Sequence, residues 1–486
     1  MREWEKIAVD KSRLRNEYLL FDYLASFSIQ NKSVYDILKL NGRDISLFEV
    51  FKPHLVLYIF PNVFNKNRFT SFIRSCKILI KIFVSSRKSY NSLSISRIGN
   101  FEGPQVGLFN FSSNFYQETL EPLLKCNDRI NYYTIEKNDI DLEFNKRYEI
   151  IKKQINKNIF RYLWRLLFED AIKRELGRYN KVELILSLIC LVKIDLEKIL
   201  KFYLNSHNYT LIKSFNVLIS NDFAEPFSRL ILLIAKKESI STVLVQQGTS
   251  GFNYPEYKLN FLDYTLTAGV QARSHILSHN PTLKNVIVTG TPNWDLSSKE
   301  EEYIPGSDNR TNLLLATQPY FPFSFENRRQ RVKILFSIIY LAIIDPNLLL
   351  TIKPHPSEGV FFYKIIAAMF RDVVVKKKRH SINELIKQCD IFITSFSQTS
   401  IAAVLLNRPA VCVYFSDIYC DSEHIYSGGM TVISSYGQLK KLFKNKFASN
   451  VKCGDSEKLV PWIFKRDGLA AQRIHNFIIK EFNICR

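Results

Sequence analysis

Residues 348–400 carry the most informative pattern in the chain: they begin with LLLTIKPHP (348–356) and end with DIFITSFSQTS (390–400). Each of these two segments opens with a short apolar run, typical of a buried strand, and then turns polar. About one β-α-β unit separates them, and an apolar helical pattern follows the second. The spacing predicts two neighbouring strands of one parallel sheet, each with polar groups at its carboxyl end.

The polar residues after these two strands are of the kinds that bind phosphate. Ligands of open α/β sheets sit at the carboxyl ends of the strands, and a helix start offers free N–H groups to an anion. Lys353 and His355 would approach from the first strand. The hydroxyls that would approach from the second are those of Ser395, Ser397, Thr399 and Ser400. Serine and threonine are also ordinary helix caps, and a histidine between prolines can be a plain exposed turn, so a structural role stays open.

The rest of the chain extends this alternation into two α/β series. Strand patterns of the first series lie at 106–111, 214–222, 242–247, 263–267 and 286–290. Those of the second lie at 312–317, 348–352, 373–375, 390–394 and 410–415. The charged segment 297–311, with Pro305 and Gly306, is the best candidate for a linker between the two. Strands that alternate with helices predict parallel sheets covered on both faces.

We therefore predict an α/β protein of two Rossmann-like domains, whose parallel sheets face a central cleft, preceded by an N-terminal extension. The predicted bounds are 1–97 for the extension, 98–300 for the first domain, 301–460 for the second and 461–486 for a C-terminal helix.

The composition narrows the choice of partner and compartment. The formal net charge is +21, which favours an anionic partner: nucleic acid, a phospholipid surface or a phosphorylated substrate. Nucleic acid is the least favoured, because no RNA-recognition or helix-turn-helix signature occurs. The eight cysteines include no CxxC pair and are expected to be free thiols. No apolar run of about 18 residues and no signal-peptide pattern occurs, so we expect a cytoplasmic protein.

Residues 66–90 form a basic pattern at helical spacing. Arg74, Lys77, Lys81 and Lys88 share one face, and apolar residues lie near the other. Such a helix can rest on an anionic membrane, which would place the protein at the inner face of the cytoplasmic membrane. An ordinary surface helix that packs its apolar face on a core shows the same pattern, so both interpretations stay open.

Further candidate site residues follow the strands of the first series. Asp222 ends one strand and could act as a general base, or could cap the helix that follows. Gly248 and Thr249 end the next strand, in a small loop able to approach a ligand closely, and Gly290 ends a later one. No cluster of histidine and cysteine indicates a structural zinc, and no metal site is predicted.

The order of several motifs resembles that of the GT-B-fold enzymes of bacterial surface-polysaccharide synthesis. The motifs are Gln246–Gly248, Val288–Asp295, Lys353–Pro356 and Asp390–Ser400, followed by Pro409. The pattern is most similar to capsule and lipopolysaccharide sialyl- and Kdo-type transferases and to CDP-glycerol glycerophosphotransferases. The resemblance covers roughly residues 210–415. It implies that the His355-Pro356 pair and the hydroxyls at 397–400 bind nucleotide phosphates.

The resemblance further implies that the second domain binds a nucleotide-activated donor, CMP-, CDP- or UDP-linked, and that the first holds a glycan or lipid-linked acceptor. Transfer would be an in-line displacement with inversion that needs no metal or other cofactor. Lys353, His355 and the helix start after residue 397 would stabilise the leaving phosphate. Asp222 would be the base for the acceptor hydroxyl.

The chain departs from the family pattern in two places. Gln247 stands where the family usually has histidine. Ala402 and Ala403 stand where many relatives place the glutamate that holds the donor ribose. Two alternatives therefore stay open: a UDP-sugar 2-epimerase, which shares the Gly-x-Pro-x-x-Asp-like segment at 290–295, and a catalytically inactive GT-B scaffold.

Overall fold

The structure of this protein is a computed structural model that describes part of the chain. Several segments for which the sequence makes predictions are not among the described residues. The helix predicted at 66–90, Thr249 and nearly all of the 297–311 segment lie outside them. The described residues are 28–29, 32–33, 92–98, 104–109, 119–126, 130–138, 202, 206–222, 225–248, 262–295, 310–318, 328–355, 358–376, 380–395, 397–415, 427–444 and 454–482. Within them, no helix is both long and apolar enough to cross a membrane.

The first half of the chain forms a seven-stranded sheet, beside a separate short antiparallel pair, β1 (Ser28–Ile29) and β2 (Lys32–Ser33). The strands of the sheet are β3 (Ser92–Ile98), β4 (Gln105–Phe109), β5 (Asn131–Asn138), β6 (Val217–Ser220), β7 (Ser241–Val245), β8 (Tyr264–Thr267) and β9 (Val286–Val288). Their order is β3-β5-β4-β6-β7-β8-β9. Strand β4 is parallel to both β5 and β6, and β6 is parallel to β7. The direction of winding reverses between β4 and β6, which makes their carboxyl ends the switch point of this sheet.

Strand β3 straddles the predicted boundary at residue 97 and pairs antiparallel with β5 over its whole length. Its sequence, SLSISRI, alternates polar and apolar residues, as expected of a strand with one solvated face. The sheet order places it at an edge. The sequence analysis did not assign this strand, because a single short alternating run without a helix beside it gives little signal.

The second half of the chain forms a six-stranded sheet in which every neighbouring pair is parallel. Its strands are β10 (Thr311–Ala316), β11 (Leu348–Lys353), β12 (Val373–Val375), β13 (Ile391–Thr394), β14 (Ala410–Val413) and β15 (Thr431–Ile433). They lie in the order β12-β11-β10-β13-β14-β15. Numbered from its own first strand, this is the 3-2-1-4-5-6 order of the Rossmann fold. The predicted class, α/β with two Rossmann-like sheets, is confirmed.

The helices of the described residues fall between these strands or after the last of them. Those of the first series are α1 (Ser206–Lys213), α2 (Pro226–Lys237) and α3 (Val270–His279). Those of the second are α4 (Arg328–Ile344), α5 (Phe361–Met369), α6 (Ile382–Lys387), α7 (Thr399–Leu405) and α8 (Tyr436–Lys444). The chain ends with α9 (Val460–Ile463) and α10 (Ala470–Glu481).

The second sheet is buried on both faces, which explains why its strands read as unbroken apolar runs. Leu313 and Leu315 of β10 belong to the apolar cluster that contains α4 and α5 residues such as Ile338 and Ile366. The alternate residue Leu314 belongs to the cluster built with α6 and α7. Helices α4 and α5 therefore lie on one side of the sheet, and α6 and α7 lie on the other.

The described residues form two compact units that do not follow chain order. One unit contains those of 266–475 together with Gln246, Gln247 and Gly248. The other contains the described residues from 28 to 245, those of 262–265 and those of 476–482. The loop after β7 therefore belongs to the same unit as the second sheet.

A mutation at Gly107 of β4 can test how tightly the first sheet is packed. An added Cβ would lie 2.5 Å from Ile135 Cδ1 and 2.6 Å from Leu218 Cδ2. Gly107→Ala should lower the free energy of unfolding by about 1–3 kcal/mol, because the core must shift to admit the methyl group. Gly359→Ala is the matched control, since nothing lies within 4 Å of a Cβ there. Urea unfolding measures both variants, and equal effects would contradict the packing.

Candidate functional site

Strand β10 lies between the two strands that carry the motifs, so the prediction that β11 and β13 are neighbours is wrong. Strand β10 pairs with β11 on one side and with β13 on the other. The carboxyl ends of β11 and β13 are therefore two strand spacings, roughly 10 Å, apart. All three strands are parallel, so these ends still share one edge, with the switch point between β10 and β13. Side chains from both motifs can reach a ligand seated over the end of β10.

The end of β10 adds two residues that the sequence analysis missed, Thr317 and Gln318. The backbone N–H of Thr317 donates to the carbonyl of Lys353 at 3.1 Å, which continues the β10–β11 ladder past the strand. Within the described residues, Gln318 Oε1 is buried without a hydrogen-bond partner. A buried acceptor that lacks a donor is rare in folded proteins, and a ligand or water commonly supplies the missing partner. A glutamine two residues after the end of a buried strand was the signal that could have identified it.

Lys353 is the last residue of β11 and is only 6% exposed. Its partner in the register is Ala316 of β10, so it lies beside the last residue of the central strand. Its position at the carboxyl edge makes this edge attractive to an anion.

The backbone of His355 is held by a carboxylate that the sequence analysis did not identify, that of Glu358. The N–H of His355 donates to Glu358 Oε2 at 3.1 Å and to Thr317 Oγ1 at 3.3 Å. The Thr317 hydroxyl donates to the same carboxylate, and Tyr363 donates its hydroxyl to Glu358 Oε1 at 2.9 Å. The turn after β11 is therefore tied to β10 and to α5. The side chain of His355, which lies in this turn, is partly exposed.

The hydroxyls after β13 bond largely among themselves. Ser397 Oγ accepts from the N–H of Thr399 at 3.2 Å and from the Thr399 hydroxyl at 2.8 Å. Ser400 is fully buried and donates its hydroxyl to the carbonyl of Ser397 at 2.7 Å. Within the described part of the chain, the Ser397 hydroxyl has no protein acceptor for its own proton. Ser397 is thus the hydroxyl best able to donate to a phosphate, and Ser395 follows β13 directly.

Gly248 packs against the side chain of Gln398, a contact that the sequence did not reveal. The backbone of Gly248 has φ +72°, and an added Cβ would lie 1.5 Å from Gln398 Oε1. Gly248 is thus required both by its left-handed conformation and by the space that Gln398 occupies. The loop after β7 therefore contacts the loop that carries the hydroxyl cluster.

A second orphaned amide follows β7, two residues before Gly248. Gln246 is 3% exposed, and its Oε1 accepts from the N–H of Ala268 at 2.8 Å. Within the described residues, its Nε2 has no hydrogen-bond partner. This buried donor belongs to the same compact unit as Gln318.

Asp222 follows β6 at the switch point of the first sheet and belongs to the other compact unit. Its Oδ1 accepts from the N–H of Glu225 at 3.1 Å. The cap of α2 is Glu225 rather than Asp222, because Glu225 Oε2 accepts from the N–H of Ser228 at 2.8 Å. Asp222 therefore stabilises the turn before the helix.

The structure gives a reason why residue 290 is a glycine. It has φ +80°, and an added Cβ would lie 3.0 Å from an Arg473 guanidinium nitrogen. Arg473 donates to the carbonyl of Thr289 at 2.6 Å and to both carboxylate oxygens of Asp467 at 2.7 Å. Burial acts to raise the pKa of Asp467, but the Arg473 hydrogen bonds, the N–H groups of Leu469 and Asp467 and the Arg473 charge together outweigh it and lower the pKa.

Asp295 ends the segment 290–295 and caps α10. Its two carboxylate oxygens accept from the N–H groups of Ala470 at 2.9 Å and Ala471 at 2.8 Å. Burial raises its pKa, against the lowering effect of these two N–H groups and of Arg473. The Gly-x-Pro-x-x-Asp-like segment therefore anchors the C-terminal helix.

Ala402 and Ala403 of α7 are 5% and 0% exposed and belong to the apolar cluster on one side of the second sheet. These positions are packing positions, where a glutamate would place an ionisable group in the core. The departure from the family pattern thus has a physical reason in this chain.

The contact between Gly248 and Gln398 can be tested by a double-mutant cycle. Gly248→Ala should cost about 1 kcal/mol or more in unfolding free energy, because both the backbone conformation and the glutamine oppose the new methyl group. Gln398→Ala should relieve part of that cost in the double variant. Gly437→Ala, whose nearest neighbour would lie 4.0 Å away, is the control. Strict additivity in urea unfolding would argue against the contact.

Removal of the Asp295 cap should destabilise α10. Asp295→Ala should lower the free energy of unfolding by about 0.5–2 kcal/mol, since two N–H groups at the helix start lose their acceptor. Asp345→Ala serves as a matched control, because among the described residues that carboxylate accepts only from the nearby Asn347. Thermal unfolding of both variants is the measurement. A wild-type midpoint for Asp295→Ala would refute the capping role.

No family model matches the chain, and no curated protein matches it. Several solved structures are similar to it. One is S. aureus MnaA in a co-structure with UDP, at 14% identity and a TM-score of 0.47 over 78% of this chain and 97% of that chain. Another is the UDP-GlcNAc 2-epimerase of Neisseria meningitidis bound to UDP-GlcNAc, at 13% and 0.45 over 77% and 99%.

A third similar structure is that of the wall teichoic acid polymerase TagF with CDPG. It is 16% identical, with a TM-score of 0.38 over 58% of this chain and 74% of that chain. At such identities and TM-scores, the likeness carries no information about the activity of this chain. The function has to be argued from its own residues.

Proposed function

We propose that the carboxyl edge of the second sheet binds the phosphates of a nucleotide-activated donor. The observation that carries the proposal is Lys353, a buried cation at the end of β11, next to the switch point between β10 and β13. Open α/β sheets bind their ligands at this point. Within the described residues, Ser397 supplies a hydroxyl proton without an acceptor. The buried oxygen of Gln318, which has no donor there, suits a hydroxyl or N–H group of the donor molecule rather than its phosphates.

The proposed reaction is transfer of a sugar, or of glycerol phosphate, from this donor to a cell-surface glycan or lipid-linked acceptor. For a sugar, the acceptor oxygen attacks the anomeric carbon, and the bond from that carbon to the phosphate oxygen breaks with inversion. The electron pair stays on the phosphate, where Lys353, His355 and Ser397 stabilise the negative charge. Asp222 is the proposed acceptor of the hydroxyl proton. In this proposal the cationic side chains take the role that a metal ion plays in other transferases.

The remaining predicted site residues keep narrower roles in the proposal. Gly248 acts through Gln398, whose position next to the hydroxyl cluster it permits. Thr399 and Ser400 hold Ser397 in place through their bonds to it. Thr249, which lies outside the described residues, and Ser395 and Gly290 remain predicted phosphate contacts.

Calorimetric titration with CMP-, CDP-, UDP- and GDP-linked donors tests the proposed site. At least one donor should bind the wild-type protein, and Lys353→Met should weaken that binding at least about tenfold, because a charge-assisted hydrogen bond is lost. His355→Ala should weaken it too. Lys440→Met, which replaces an exposed lysine of α8, is the matched control and should bind normally. Unchanged affinity in Lys353→Met and His355→Ala would remove this assignment.

The same preparations separate the proposed transferase from the epimerase that shares part of its motif order. The wild-type protein is incubated with UDP-GlcNAc alone, and the sugar is followed by NMR. Conversion to the 2-epimer without an acceptor would replace the transferase proposal by the epimerase. Donor binding without turnover in the presence of glycan acceptors would identify an inactive scaffold.

A further inference from the structure

Helix α4 exposes large apolar side chains along its outer side. Its inner side packs into the core through residues such as Ile334, Ile338 and Leu341. The exposed residues recur at intervals of three or four positions, so they form one stripe along the helix. They are Val332, Phe336, Tyr340, Ile343 and Ile344. A helix that is apolar on both sides is unusual at a solvated surface.

Helix α5 shows the same arrangement on the same side of the sheet. It packs Tyr363 and Ile366 into the core that α4 shares. Its outer stripe includes Phe361 at 77% exposed and Met369 at 68%. The other exposed members of the stripe are Phe362 and Ile365. Exposed apolar areas that extend over two elements mark interaction sites in soluble proteins. We refer to the two outer stripes together as the α4–α5 surface.

The charges on these two helices are all positive. Neither α4 nor α5 contains an acidic residue, and α4 begins with the sequence RRQRVK. Lys333 and Lys364 are exposed among the apolar residues of the two stripes. An exposed arginine, Arg371, follows α5.

Among the described carboxylates, those closest in sequence to this surface already have partners. Glu358, before α5, accepts from Thr317, His355 and Tyr363. The two after the helices are also bonded: Asp345 accepts from Asn347 at 3.0 Å, and Asp372 pairs with Arg310 at 2.9 Å. Within the described residues, the α4–α5 surface therefore combines apolar side chains with lysines that none of these three carboxylates neutralises.

We propose that the α4–α5 surface docks the protein on an anionic phospholipid bilayer. Apolar and aromatic side chains would enter the boundary between headgroups and acyl chains, and Lys333 and Lys364 would contact the anionic headgroups. A second copy of the chain fits less well, because a two-fold contact would place the same cationic surface against itself. This inference does not depend on the donor site or on the basic segment at 66–90.

Vesicle co-sedimentation of the full chain tests the docking surface. Vesicles of phosphatidylcholine, with and without phosphatidylglycerol, are the probes. The wild-type protein should bind the anionic vesicles, and added salt should weaken the binding. Phe361→Ser with Met369→Ser should weaken it at least about tenfold, because two inserted side chains are lost. Lys333→Glu with Lys364→Glu should weaken binding only to the anionic vesicles.

The matched control replaces two exposed apolar residues outside the surface, Val270→Ser with Leu469→Ser, and should bind as the wild type does. Equal loss in the control and in the Phe361/Met369 variant would overturn the proposal. So would binding that is indifferent to phosphatidylglycerol, or no binding at all. A lowered unfolding temperature in the Phe361/Met369 variant would instead show that part of this chain covers the surface. Loss of a wild-type dimer on gel filtration would identify a second copy as the occupant.

Discussion

The parallel pairing of β10 with β11 on one side and β13 on the other is the constraint on which the rest of the second sheet depends. It aligns Ala316 with Lys353, so that the strand with the lysine and histidine ends level with the central strand. It also places Leu313 opposite both Leu350 and Ile391, which closes the core on one face. A shift of one residue would turn every side chain of β10 to the opposite face, so burial on both faces determines the register.

Several residues to which the sequence suggests a functional role also have a structural role in this fold. Gly290 and Asp295 belong to the anchor of α10, together with Arg473, which bonds the carbonyl of Thr289. Gly248 gives Gln398 its space. Ser400 is buried and bonded to the backbone of Ser397. After these bonds are counted, Lys353, His355 and Ser397 carry most of the chemistry that the proposed phosphate site requires.

Two buried glutamine atoms, Gln246 Nε2 and Gln318 Oε1, bear on the proposed ligand site in a different way. Gln246 follows β7 directly, and Gln318 comes two residues after the end of β10. Each atom is without a partner among the described residues, and both belong to one compact unit. Protein interiors rarely leave such atoms unpaired, since each costs about 1–3 kcal/mol when buried without a hydrogen bond. A polar ligand or an ordered water beside each atom would supply the missing hydrogen bond.

The amino-acid sequence alone predicts the α/β class, most strands of both sheets and the polar groups that follow β11 and β13. Those features depend on local periodicity and on short apolar runs, which a single chain displays directly. Three features became visible only in the folded chain: β10 separates the two motif strands, Glu358 holds His355, and Gln398 packs against Gly248. The folded chain also shows that the outer stripes of α4 and α5 remain exposed. These are contacts, or their absence, between residues far apart in the chain, and they depend on the order in which strands and helices pack rather than on any local pattern.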